Sequence, residues 1–67
     1  MEYTNTQIRE LIAEHIHSER DRRILERRLI DGITFERLAE ENELSVSQVK
    51  RIIWKKSEIV FRHLKKK

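Results

Sequence analysis

Sixty-seven residues make one small domain, because a chain this short buries only about 60% of the surface its unfolded form exposes and has no room for a deep catalytic pocket. Without Cys or Pro and with a single Gly, it forms no disulfide or thiolate metal site, and helices with short connections are expected. No run reaches the roughly 20 apolar residues of a membrane span and no signal-peptide pattern opens the chain, so a cytoplasmic protein without membrane contact is expected.

Four helices follow from caps and periodicity, in an all-α fold. The first covers residues 5–16. Thr4 and Gln7 have capping-box spacing, and Ile8, Leu11, Ile12 and His15 or Ile16 form one apolar stripe. The second covers residues 19–30, with Ser18 as N-cap and Glu19 and Asp21 near the positive end of the helix dipole. Ile24, Leu25 and Leu29 supply its buried side, and Gly32 ends it by entering the left-handed region without steric cost. The third covers residues 35–41. Thr34 caps it, and Ile33 and Leu38 have the spacing of a hydrophobic staple. The fourth starts after Ser45 with the same devices: Gln48 completes a capping box, and Leu44 is placed to staple onto Val49. Only Asn42, Glu43 and Leu44 separate the last two helices. Both extreme ends are expected to fray.

Net charge is +3 overall, but its distribution is uneven. Residues 1–44 carry 7 Lys/Arg against 11 Asp/Glu, a net of −4, whereas residues 45–67 carry 8 against 1, a net of +7. A basic block of this kind commonly meets phosphate. Lys65, Lys66 and Lys67 read as a solubilising tail, whereas Lys50, Arg51, Lys55 and Lys56 lie inside the periodic segment.

Two helices joined by so short a turn suit a helix-turn-helix, which places its second helix in the DNA major groove. Ala39 supplies the small residue where the two backbones approach. Leu38, Leu44, Val49 and Ile52 or Ile53 supply the apolar interior, and Ser47, Gln48, Lys50 and Arg51 form a polar outer face. The competing reading is an ordinary helical hairpin with a solvated face.

The run Asp31-Gly-Ile-Thr-Phe-Glu-Arg-Leu-Ala-Glu-Glu and the run Leu44-Ser-Val-Ser-Gln-Val-Lys-Arg-Ile resemble region 4 of the sigma-70-like transcription initiation factors. Small phage activators are similar as well. The resemblance covers about residues 19–64 and implies a C-terminal helix-turn-helix with a long recognition helix that binds double-stranded DNA. It implies that Ser47, Gln48, Lys50 and Arg51 face bases and flanking phosphates. Thr34 and Arg37 match backbone-contacting positions, Ser45, the cap of the recognition helix, is a further DNA-contacting candidate, and Lys55 reaches a phosphate further along. RNA polymerase is a partner the family allows. The chain departs from the pattern at the turn, where Asn42 and Glu43 replace an apolar residue and Gly. Asn42 is the residue expected to tolerate the positive φ there. Lys56 replaces a small residue on the inner stripe, where its stem is expected to be buried and its amine to snorkel out. These 67 residues have no room for a domain that reads the −10 element, so a region-4-like module and not a self-sufficient sigma factor is expected.

On the last helix Val49, Ile53, Lys56, Val60 and Leu64 share one stripe. At 100° per residue Trp54 lies about 140° from Val49 and Phe61 about 120°. Either the first helix covers both aromatics, or they form an exposed patch for RNA polymerase or a second copy of the chain. Dimerisation would also add specificity to so small a reader. The arginines of the second helix, Arg20, Arg22, Arg23, Arg27 and Arg28, read as a solvated face with i,i+4 pairs such as Glu19–Arg23. A minor phosphate contact by Arg22 or Arg23 is a secondary reading.

His15 and His17 point in different directions on a helix, and His63 is isolated, so no metal site is expected. Neither a nucleophile–base set nor a Gly-rich phosphate loop is present, so neither an enzyme nor a cofactor is expected. Two functions remain. One is a DNA-binding transcription regulator. The other is a protein-interaction module acting through Trp54 and Phe61, a reading favoured by Glu43 and the acidic third helix.

Overall fold

Every helix start in the computed structural model, which describes residues 4–65, carries the cap expected from its sequence. Helix α1 (Asn5–His15) opens with a full capping box: Thr4 Oγ1 accepts from the Gln7 N–H at 3.1 Å, and Gln7 Oε1 accepts from the Thr4 N–H at 2.9 Å. Helix α2 (Glu19–Leu29) begins where Ser18 Oγ accepts from the Asp21 N–H, and α3 (Phe35–Asn42) where Thr34 Oγ1 accepts from the Arg37 N–H. Helix α4 (Val46–Lys65) repeats the box of α1 through Ser45 and Gln48. Each cap satisfies backbone N–H groups that have no partner within the helix. Met1–Tyr3, Lys66, Lys67 and the side chain of Lys65 lie outside the described residues, and with them the expected frayed ends and lysine tail.

Helix ends depart slightly from expectation. Helix α1 stops at His15 because Ile16 is extended (φ −107°, ψ 118°), which turns the chain toward the Ser18 cap. Helix α2 stops at Leu29, and Gly32 takes φ +70° two residues beyond its C-cap Ile30. The end of α3 is a correction: Glu43, not Asn42, takes the left-handed conformation (φ 57°, ψ 43°). Asn42 stays helical and its side-chain amide donates to the Leu38 carbonyl at 2.8 Å. The Leu44 N–H then reaches the Ala39 carbonyl at 2.9 Å and the Glu43 N–H reaches Glu40 at 3.4 Å. This pair of bonds is a Schellman closure, in which the residue just past the helix must be left-handed.

Helices α2 and α4 form the centre of the fold. Helix α4 packs on all three others, α2 likewise, and α1 and α3 flank them without touching each other. The core comprises Ile12 and Ile16, Ile24 and Leu25 of α2, Leu38 and Ala39 of α3, and Val49, Ile53, Val60 and Leu64 of α4. Ile33, Leu44, Ile52 and Ile59 pack against its edge. The molecule measures 35 × 19 × 17 Å, somewhat longer than the roughly 30 Å of the 20-residue α4. Among the described residues all regular structure is helical, and no helix is long and apolar enough to cross a membrane.

Candidate nucleic-acid interface

Helix α4 divides its surface cleanly. Val49, Ile53, Val60 and Leu64 are buried on the inner stripe, while Ser47, Gln48, Lys50, Arg51 and Lys55 are exposed on the other side. Trp54 is 69% exposed and Phe61 40%, so α1 does not cover them. Ser47, Lys50, Arg51 and Trp54 together line a shallow, open depression on this outer face.

The side chains on this face differ in how free they are. Among the described residues, Lys50, Arg51 and Lys55 have no carboxylate within ion-pair distance. The Lys50 ammonium lies 5.6 Å from the centroid of the Phe35 ring, on which the Arg28 guanidinium also sits at 4.2 Å. This cation–π contact leans Lys50 toward the start of α3. Nothing in the local periodicity announces it, because Phe35 and Lys50 are fifteen positions apart. Gln48 is more restricted: its Oε1 accepts from the Ser45 N–H at 2.9 Å. A bidentate contact with adenine needs both the oxygen and the amide nitrogen, and the cap already occupies one of the two lone pairs of that oxygen.

The α3 positions are already engaged. Thr34 and Ser45 use their hydroxyls as caps. Arg37 pairs with Glu41 at 3.4 Å while remaining largely exposed. Arg27 of α2 reaches the same carboxylate oxygen at 2.7 Å. Two guanidiniums therefore compensate Glu41, which weakens the acidic character of α3 on that side. Glu36, Glu40 and Glu43 remain exposed.

The arginines of α2 are not a simple solvated face. Arg22 donates through Nε to the Ile16 carbonyl and through Nη2 to the Ala13 carbonyl at 2.9 Å, closing the C-terminal end of α1. This use competes with the secondary reading of Arg22 as a phosphate contact. Arg28 Nη1 donates to the Ile33 carbonyl at 2.9 Å, and Arg20 pairs with Asp21 at 3.3 Å. The expected Glu19–Arg23 pair does not form. Lys56 does snorkel, its ammonium lying 4.0 Å from the buried carboxylate of Asp21. His63 is not isolated either: its ring stacks on His15 with centroids 3.7 Å apart and planes 3° from parallel. Among the described residues no group of three or more potential metal ligands gathers.

A scan against protein-family models, a search of curated proteins and a search of solved structures each found no match for this chain.

Proposed function

We propose that this protein binds double-stranded DNA, with α3 and α4 acting as a helix-turn-helix and the outer face of α4 entering the major groove. The observation that carries this reading is the cationic face of α4 formed by Lys50, Arg51 and Lys55, without carboxylate partners among the described residues and opposite the buried stripe. A tight turn with Glu43 left-handed precedes that helix, which suits the short turn of a helix-turn-helix. The resemblance to sigma region 4 adds the expectation of transcription regulation, with RNA polymerase as a further partner.

In this reading Arg51 forks onto a guanine, while Lys50 and Lys55 neutralise phosphates. Thr34 and Arg37 lie near the backbone, and Arg37 exchanges its Glu41 partner for a phosphate. Ser47 and Gln48 complete the base-facing surface. Roughly four to six phosphate contacts make the binding constant fall with salt at about −0.9 per contact on logarithmic axes. Selection of bound duplexes from a random pool at two salt concentrations tests the reading. Enrichment of a short common site, bound less tightly at the higher salt, supports it, and the absence of any salt-dependent duplex binding rejects it.

The exposure of Trp54 and Phe61 favours a second reading, in which the aromatics bind RNA polymerase or a second copy of the chain and DNA binding is weak. Under it Trp54→Ala abolishes function and Arg51→Ala does not.

A further inference from the structure

Trp54 is the largest exposed apolar group of the described residues and the only Trp of the chain. Its neighbours do not resemble those of a protein-docking patch. The depression it borders is completed by Ser47, Lys50 and Arg51, a hydroxyl and two cations. Phe61 lies seven residues further along α4, about 10.5 Å away at 1.5 Å per residue. Ser57 and Glu58 stand in the intervening turn, and Glu58 pairs with Arg62 at 3.4 Å. Both aromatics lie on the same side of α4, within about 20° of each other, but their settings differ: Lys50 and Arg51 precede Trp54, whereas the paired Glu58 and Arg62 flank Phe61.

Seven residues also separate Ser47 from Trp54, so on a helix they lie within about 20° of each other. The axial span of about 10.5 Å from one to the other corresponds to about three base-pair steps at roughly 3.4 Å each for a helix lying along the major groove. A polyanion is complementary to the cations flanking the indole. What the groove offers an apolar ring is narrow in kind: its base edges are hydrogen-bonding groups except for the 5-methyl of thymine.

We infer that Trp54 is part of the DNA-reading surface and packs against a thymine methyl group, giving the site a preference for thymine about two helical turns into α4. This inference rests on the DNA-binding reading above and assigns that site an apolar base contact in addition to its cationic ones. The Lys50 and Arg51 side chains hold the flanking phosphate and base edge, and the indole excludes water from the methyl.

The test uses the full chain and the duplex enriched from the random pool, labelled for fluorescence anisotropy so that binding is read independently of Trp54. Each thymine is replaced in turn by uracil, which removes only the methyl. One replacement is expected to weaken the wild-type complex about fourfold, the effect of burying one methyl-sized group, and Trp54→Ala is expected to abolish sensitivity to that replacement alone. Quenching of the single indole on duplex addition, reversed by salt, is the second expected signal. Trp54 is exposed, so the variant is expected to melt as the wild type does, and Trp54→Phe is expected to retain part of the methyl preference. If Trp54→Ala binds with an unchanged uracil profile, or the indole signal does not respond to a duplex that anisotropy shows bound, Trp54 does not read the methyl. If no duplex binds in a salt-dependent way, the DNA-binding reading falls and this inference with it.

Discussion

The guanidinium of Arg27 and the carboxylate of Glu41, 2.7 Å apart, tie the last turn of α2 to the last turn of α3. Both side chains are about one-third exposed, so the pair is partly shielded from water and fixes α3 close to the turn that launches α4. A double-mutant cycle on Arg27→Ala and Glu41→Ala is expected to give a coupling of about 1 kcal/mol, at the upper end of the range for exposed pairs. Urea denaturation of the four proteins measures it. A coupling indistinguishable from zero contradicts the proposed bracing.

Glu43 holds φ 57° at the end of α3, a conformation that costs a residue with a side chain roughly 1–2 kcal/mol. Its carboxylate also lies at the negative end of the α3 dipole. Glu43→Gly is expected to raise stability by about 0.5–1 kcal/mol once the greater freedom of the unfolded Gly chain is subtracted. Glu43→Val is expected to destabilise. Thermal melts of the two variants check both signs, and a less stable Glu43→Gly protein contradicts the turn geometry.

The Lys56–Asp21 pair is asymmetric, with a buried carboxylate and a lysine side chain about one-third exposed, at 4.0 Å. Lys56→Met keeps the stem on the inner stripe and leaves Asp21 its contact with Arg20, so a change of less than about 1 kcal/mol is expected. Asp21→Ala removes both pairings and a favourable charge in the first turn of α2, and a loss of roughly 1–2 kcal/mol is expected. Denaturant midpoints measure both. Equal effects of the two substitutions would mean that Asp21 adds nothing beyond its link to Lys56.

What was legible in the sequence was what a few neighbouring residues decide. Thr4, Ser18, Thr34 and Ser45 stand at the four helix starts because capping is an interaction over three residues. Gly32 takes its positive φ because no other residue nearby does so freely. The inner stripe of α4 followed from periodicity. Contacts between distant segments were not legible. The Arg22 closure of α1, the Arg28–Phe35–Lys50 contact and the His15–His63 stack each depend on how helices cross. The left-handed residue was expected at Asn42 on propensity. The Schellman bonds to Ala39 and Glu40 instead require that conformation one residue later, while the Asn42 amide is held by Leu38. At the candidate site, charge and wheel position indicated the outer face. Whether α1 left Trp54 bare depended on tertiary packing.

Arg51 and Lys55 are expected to separate specificity from affinity. Arg51→Ala is expected to weaken binding to the enriched duplex by about 1–3 kcal/mol and to relax the preference at one base pair. Lys55→Ala is expected to weaken all duplexes alike and to reduce the salt slope by about 1. Equilibrium titrations on matched and mismatched duplexes at several salt concentrations make the comparison. If the Lys55→Ala slope is unchanged, that side chain does not meet phosphate.

The most direct test is a backbone amide chemical-shift map of the full chain, recorded as the enriched duplex is added. Large shifts at the start of α3, at Thr34 and Arg37, and from Ser45 to Lys55 in the α3–α4 turn and the first half of α4, with the outer face of α1 at Glu10, Ala13 and Glu14 silent, are the expected outcome. Shifts centred on α1 or on the Phe61 end of α4, or none while the duplex is saturating, would mean that the cationic face of α4 is not a DNA-reading surface.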